Sequence, residues 1–119
     1  MIEIINILTS CLSDDLLHDK YKKNRNNYLS GHCYIMTEAL YYILDDDDRK
    51  NYVPSTLKIN NITHWFLKNR TTGDIIDPTK NQFNFDLDYN KSRNRFFLTK
   101  KPSKRTLILL NRFYEKNNY

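Results

Sequence analysis

The chain has 119 residues, of which 39% are hydrophobic, and its formal net charge is +5. This length supports one modest hydrophobic core and is too short for two independent domains. No stretch approaches the ~18 to 20 apolar residues of a membrane span and no basic region precedes the apolar N-terminus, so we expect a cytoplasmic protein without a membrane partner.

The first elements along the chain are predicted to be helices. Apolar residues recur at helical spacing at Ile2, Ile5, Leu8 and Leu12, and a second short helix is predicted around residues 16–21. The stretch 21–30 is polar and rich in Asn, so we expect it to be an exposed approach to the next element.

A buried helix is predicted to follow from about residue 32. Its apolar stripe consists of Tyr34, Ile35, Ala39, Leu40, Tyr42 and Ile43. Ser30 is a candidate N-cap, and Glu38 lies on the other side of the helix. Four consecutive acids at 45–48 should end this helix in a solvated loop, because they repel one another and lack the alternating pattern of a calcium loop.

The period then changes to two, which predicts an antiparallel meander. Tyr52–Ile59 and Ile62–Asn69 are rich in β-branched and aromatic residues, and Ile75–Asp77 starts a further strand. Gly73 supplies a positive φ in the turn between the second and third strands. Pro78 should end the third strand, since it cannot donate to a ladder.

The last third of the chain is predicted to return to the core and close with a helix. Phe83 and Phe85 should pack inward, and Phe96–Leu98 is a candidate short strand. Ser103 is a good N-cap for a final helix. The residues expected to line one face of that helix are Leu107, Leu110, Phe113 and Tyr114.

The sequence therefore predicts an α+β fold in which helices pack on a small antiparallel sheet of three to four strands. We expect a single domain over residues 1–119. Within it, 1–29 form N-terminal helices, 30–101 the helix bearing Cys33 and the meander, and 102–119 the C-terminal helix.

Three residues in chain order form a candidate catalytic set: Cys33 at a helix start, His64 in a strand and Asp77 in the next strand. A helix N-terminus and an imidazolium partner both favour a thiolate, which is the nucleophilic form. His64 would move the proton, and Asp77 would fix the tautomer of its ring. Backbone N–H groups at the helix start would form an oxyanion hole.

The predicted hairpin brings the last two of these residues together. With a turn centred near Thr71, His64 and Asp77 lie within about one residue of a cross-strand pair. Alternation places His64 and Phe66 on the face where the helix bearing Cys33 would pack, with Trp65 on the opposite face.

Three stretches, GHCYIMTEALYYIL, THWFLKNRTTGDIIDPTKNQF and FLTKKPSKRTLILL, resemble the small proteins of the YunG type and their phage-borne relatives. The similarity covers about residues 30–110. It implies a compact papain-like or transglutaminase-like core with the nucleophile at a helix N-terminus. In that core Cys33 resembles the nucleophile, His64 the base and Asp77 the orienting acid.

The resemblance also implies an amide side chain upstream of the cysteine to hold the oxyanion, and the candidate for this position is Asn27 or, less well, Asn26, in place of glutamine. The implied activity is that of a cysteine-dependent hydrolase or acyl-transferase. Its substrate would be an amide, isopeptide or thioester bond in a protein or peptide. A phage-encoded protein would act in the host cytoplasm.

Several neighbouring residues have two interpretations. His32 either lines the site or caps the helix, and Trp65 either shields the site or belongs to the core. Gln82 either supports Asp77 or bonds its own turn. Cysteine and histidine are also zinc ligands, but no pair has the usual close spacing, so no metal and no cofactor are expected. Without a secretory signal, the two cysteines should stay free thiols.

Charge is distributed unevenly along the chain. Residues 1–90 carry 10 Lys and Arg against 13 Asp and Glu, whereas residues 91–119 carry 9 against 1. The basic segment 91–116 is a solvated face, a surface for an acidic protein partner or a surface for nucleic acid. These options leave two alternative functions: a non-enzymatic binding protein or phage-encoded inhibitor, and a nucleic-acid-binding protein.

Overall fold

Four α-helices and a four-stranded antiparallel sheet are present in residues 1–17 and 32–117, which the computed structural model describes. The α-helices are α1 (Ile2–Ser10), α2 (Cys33–Ile43), α3 (Asp46–Asn51) and α4 (Lys104–Asn117). The strands are β1 (Tyr52–Ile59), β2 (Ile62–Asn69), β3 (Ile75–Ile76) and β4 (Arg93–Asn94), in the sheet order β3-β2-β1-β4. The predicted α+β class is confirmed.

The long hairpin β1–β2 has the strand bounds predicted from the sequence. Its ladder runs from Tyr52 opposite Asn69 to Ile59 opposite Ile62. The connection is the pair Asn60 and Asn61, with φ of 49° and 69°. Two residues with positive φ suit the twist of a tight hairpin, and Asn tolerates this conformation better than most residues.

The two outer strands are short. Gly73 has φ 78° in the turn before β3, as predicted, and β3 ends ahead of Pro78. The predicted strand at Phe96–Leu98 is wrong, because the fourth strand is Arg93–Asn94 and pairs with Ser55 and Thr56 of β1.

The helices cover one face of the sheet. Leu67 of β2 joins a core cluster with residues of the helices, among them Leu8, Leu40, Leu109 and Phe113. On the same face, the ring of Tyr34 in α2 meets Trp65 edge-on at 4.9 Å between centroids.

The opposite face of the sheet carries His64 and Phe66 and is covered by residues 77–91. Phe83 meets the His64 ring at 4.9 Å, and Tyr89 meets Phe66 at 5.0 Å. The prediction that α2 packs on the His64 face is therefore wrong, since apolar side chains of α2 pack against the alternate set of strand residues.

The acidic run 45–48 is not a loop, contrary to prediction. Asp45 is the N-cap of α3, and its side chain accepts a hydrogen bond from the Asp48 N–H at 2.8 Å. The next three acids occupy the first turn, where the positive end of the helix dipole stabilises them. Arg49 then donates to the carbonyl of Leu44, which caps the C-terminus of α2.

The closing helix α4 begins as predicted. The Ser103 hydroxyl accepts from the Thr106 N–H at 3.3 Å, which is the geometry of an N-cap. The buried face differs from the prediction, because Leu109 is buried with Leu110 and Phe113 while Leu107 is 46% exposed. Tyr114 is exposed as well.

Three further predictions differ from the structure. Phe85 is exposed and does not return to the core. Glu38 is completely buried on α2 and accepts a hydrogen bond from the Ser103 N–H at 3.0 Å. In place of a helix over 16–21, a 3-10 turn covers Asp14–Leu16. The rest of that predicted helix and the candidate cap Ser30 fall outside the described residues.

No helix in the described ranges has the length and apolar character needed to cross a bilayer.

Candidate active site

The site lies where β3 ends and leaves one edge of β2 open. The Asn69 N–H bonds Asp74 on the β3 side, so the carbonyls of Trp65 and Thr63, at alternate positions, point to the same side. Helix α2 occupies this edge. Thr37 Oγ1 donates to the Trp65 carbonyl at 3.1 Å, and one turn earlier the Cys33 thiol lies 3.8 Å from the Thr63 carbonyl.

Cys33 is the first residue of α2, next to His32 at the N-cap position. The first turn of a helix carries N–H groups that have no partner within the helix, and these favour negative charge nearby. His32 is buried and makes no side-chain cap bond; its Nε2 lies 3.2 Å from the Ser13 carbonyl. This contact ties the helix start to the segment after α1.

His64 and Asp77 are in direct contact. His64 Nε2 donates to Asp77 Oδ2 at 2.7 Å, and both side chains are buried. The pairing of Leu67 with Ile76, continued by one residue, places Asp77 beside Phe66. His64 and Asp77 are therefore diagonal neighbours on one face, one residue further apart in register than predicted.

Two groups besides His64 hold the Asp77 carboxylate. The Tyr89 hydroxyl donates to Oδ2 at 2.8 Å, and the Thr79 N–H donates to Oδ1 at 3.3 Å. Burial and the charge of Asp77 raise the pKa of Tyr89, so the phenol stays a donor. Sequence reasoning missed Tyr89, because it lies in an irregular segment and no spacing distinguishes it from the other eight tyrosines.

Gln82 contacts the second ring nitrogen of His64 and not Asp77. Its Nε2 lies 3.3 Å from His64 Nδ1. An amide can offer either an N–H or an oxygen, so Gln82 can bond Nδ1 in both protonation states of the ring. Because Asp77 holds Nε2, Nδ1, which Gln82 contacts, is the ring nitrogen that can gain or lose a proton.

The environment of His64 favours its charged form. Burial lowers the pKa of the ring, but the hydrogen bond with Asp77, a hydrogen bond with Cys33 and the charges of both residues raise it, to about 9. Asp77 contacts the imidazole directly, and Cys33, whose thiol lies 3.8 Å from the carbonyl of the preceding residue Thr63, is close enough to influence the charge of the ring.

Trp65 is part of an aromatic cluster on the face opposite His64. Its ring stacks on Phe97 at 5.9 Å, and the Arg95 guanidinium lies 5.2 Å from its centroid. Trp65 thus packs in the protein and does not cover the His64 ring. Asn26 and Asn27, the candidate oxyanion amides, are outside the described residues.

Both cysteines are free thiols. Cys33 is 8% exposed and Cys11, which follows α1, is 9% exposed. Among residues 1–17 and 32–117, no group of three or more His, Cys, Asp or Glu side chains is arranged to hold a metal ion. The site holds a thiol at a helix start and a buried imidazole–carboxylate pair, and these groups can transfer protons and attack a carbonyl.

Comparison of the chain with family models, with curated proteins and with solved structures gives no match.

Proposed function

We propose that the protein is a cysteine-dependent hydrolase or acyl-transferase that acts on an amide, isopeptide or thioester bond of a protein or peptide. Cys33 is the nucleophile, His64 the general base and acid, and Asp77 the residue that orients His64. On this proposal the domain is a compact papain-like or transglutaminase-like core, as the resemblance to the YunG type implies.

The observation that carries the proposal is the buried His64–Asp77 pair, joined at 2.7 Å, together with a thiol at a helix start that contacts the carbonyl of Thr63, the residue before His64. Helix N-termini and imidazolium partners are two of the features that activate thiols in proteins, and both are present here.

The reaction follows from this geometry in two steps. With the thiol proton already held by His64, the Cys33 sulfur bonds to the substrate carbonyl carbon, and the carbonyl oxygen becomes negative. First-turn N–H groups of α2 stabilise the negative oxygen. His64 then returns the proton to the leaving amine or thiol as its bond to carbon breaks. Water or an acceptor amine, deprotonated by His64, releases the acyl group from the sulfur.

The first test compares the two thiols of the chain. Cys33 and Cys11 are buried to nearly the same degree, so residue burial by itself does not predict a difference in their alkylation rates. We expect iodoacetamide at pH 7 to label Cys33 at least about tenfold faster than Cys11, with the sites resolved by mass spectrometry.

Substitution of the partner completes this test. His64→Ala should slow labelling of Cys33 and leave Cys11 unchanged, and cooperative unfolding of the variant serves as the control for folding. Equal, slow labelling of both thiols in the wild-type protein would contradict the proposal.

A second candidate function is a binding protein that keeps this fold without catalysis, acting on an acidic partner or as an inhibitor. The observation that favours it is the exposure of the cations between residues 91 and 104. Cys33→Ser separates the two functions, because it abolishes catalysis but leaves binding through an exposed basic surface intact.

A further inference from the structure

Residues 93–101, here called the basic loop, connect the edge of the sheet to α4. Several contacts fix the loop to the domain. The Arg95 N–H donates to the Pro54 carbonyl at 2.9 Å, and the Leu98 N–H donates to the Tyr34 hydroxyl at 2.8 Å. Between them, the Phe97 ring packs edge-on against Tyr34 at 5.7 Å.

On either side of this inward ring, two apolar side chains point away from the protein. Phe96 is 94% exposed and Leu98 is 68% exposed. Because the backbone around them is anchored, their exposure is a property of the folded loop. Two large apolar side chains that are exposed two residues apart in an anchored loop suggest a surface that a partner covers.

The charge around the pair identifies the partner as an anion. Between residues 91 and 104 there are six cations and no acid. All six are exposed: Lys91, Arg93, Arg95, Lys100, Lys101 and Lys104. A surface that combines cations with protruding apolar side chains matches an anionic lipid bilayer, where the cations contact phosphates and the apolar groups enter the interface.

Nucleic acid fits the same charge but not the same apolar groups. Single-stranded nucleic acid needs aromatic rings on which successive bases stack. Only one ring of the loop, Phe96, is turned outward, because Phe97 is used for packing, and the second exposed group is the aliphatic Leu98.

We propose that the basic loop docks the protein on anionic membranes, with Phe96 and Leu98 inserted at the interface. This proposal replaces the expectation from the sequence that the protein has no membrane partner, which was based on the lack of a spanning segment and not on peripheral binding. This inference does not depend on the proposed catalysis. The Cys33→Ser variant should bind membranes as the wild type does, so failure of one proposal is distinguishable from failure of the other.

The test is cosedimentation with phosphatidylcholine vesicles that contain or lack one third phosphatidylserine. We expect binding only to the vesicles with phosphatidylserine, and loss of binding at high salt. Phe96→Ser with Leu98→Ser should weaken binding at least about tenfold. The matched control is Ile2→Ser, which removes an exposed apolar side chain elsewhere.

Charge reversal gives a second, independent measurement. Lys100→Glu with Lys101→Glu should also weaken binding at least about tenfold, whereas Lys50→Glu on α3 should have a much smaller effect. All these side chains are exposed, so thermal unfolding should stay close to that of the wild type.

Three results would overturn the proposal. The first is equal vesicle binding by the wild type and both double variants. The second is absence of binding to phosphatidylserine vesicles. The third is tighter binding to a single-stranded oligonucleotide than to these vesicles, which would assign the loop to nucleic acid.

Discussion

At the scale of residues, the contacts of His64 affect both the stability of the fold and the protonation of the candidate site, because the ring is buried and still favours its charged form. Burial without a charged partner would lower the pKa of the ring and favour its neutral form. The Asp77 carboxylate reverses this effect, and it is in turn held by Tyr89 and the Thr79 N–H. The same contacts that would orient the ring for catalysis therefore contribute to folding.

This contribution has a defined pH dependence. The pKa of His64 is raised from 6.5 to about 9, so the stabilisation is complete below pH 6.5 and is lost as the pH rises through 9. A shift of this size corresponds to roughly 3 kcal/mol at about 1.4 kcal/mol per pKa unit. We expect the free energy of unfolding of the wild type to exceed that of Asp77→Asn most at pH 6, and the gap to shrink by pH 10.

Urea unfolding at pH 6 and pH 10 checks this expectation. Subtracting the free energy of unfolding of Asp77→Asn from that of the wild type cancels the contribution of titratable groups that behave alike in both proteins. Exposed Asp86→Asn is the control, because its gap from the wild type should stay small and nearly constant. A gap between wild type and Asp77→Asn that widens toward pH 10 would contradict the assignment of a charged His64.

The sequence predicts the members of this site but not its supports. Cys33, His64 and Asp77 could be selected because thiol, imidazole and carboxylate have distinct chemistry and occur at a predicted helix start and on two predicted neighbouring strands. Tyr89 and the true position of Gln82 could not be predicted, since residues 77–91 lack a periodic pattern and their path depends on tertiary contacts. The catalytic roles stay predictions.

At the scale of elements, α4 shows how a small error in the predicted buried face of a helix moves a residue from the core to the surface. Leu107 and Leu109 are the same residue type and lie two positions apart, but Leu109 is fully buried and Leu107 is not. We expect Leu109→Ala to lower the free energy of unfolding by about 2 to 5 kcal/mol and Leu107→Ala by less than about 1 kcal/mol. Denaturant unfolding of the pair measures the difference, and equal losses would contradict the buried face described above.

The reliability of the element predictions follows the strength of their local signals. The bounds of β1 and β2 are predictable because two runs of β-branched and aromatic residues flank a pair of asparagines. Helix α3 is not predictable in this way, because repulsion between the four acids favours a loop. In the structure, capping by Asp45 and the helix dipole outweigh that repulsion. β4 is only two residues long and depends on pairing with β1, which leaves no local pattern.

At the scale of the whole molecule, the N-terminal and C-terminal parts of the described chain pack on each other. Arg112 of α4 pairs with Asp15 at 2.7 Å and donates to the Cys11 carbonyl at 3.1 Å. Arg105 donates to the Leu16 carbonyl at 3.0 Å. His32 also contacts the Ser13 carbonyl. The start of α2, which bears Cys33, therefore packs against residues 11–16, and these residues are in turn bonded by α4.

This dependence predicts that the middle of the chain does not keep the site by itself. A chain ending at Pro102 lacks Leu109, Leu110 and Phe113, which are buried in the same cluster as α2 and Leu67. We expect such a chain to lose cooperative unfolding, measured by circular dichroism and by fluorescence of the single tryptophan, Trp65. Cys33 should then be alkylated no faster than Cys11. A truncated chain that unfolds cooperatively with preferential labelling of Cys33 would show instead that the sheet and α2 assemble the site without α4.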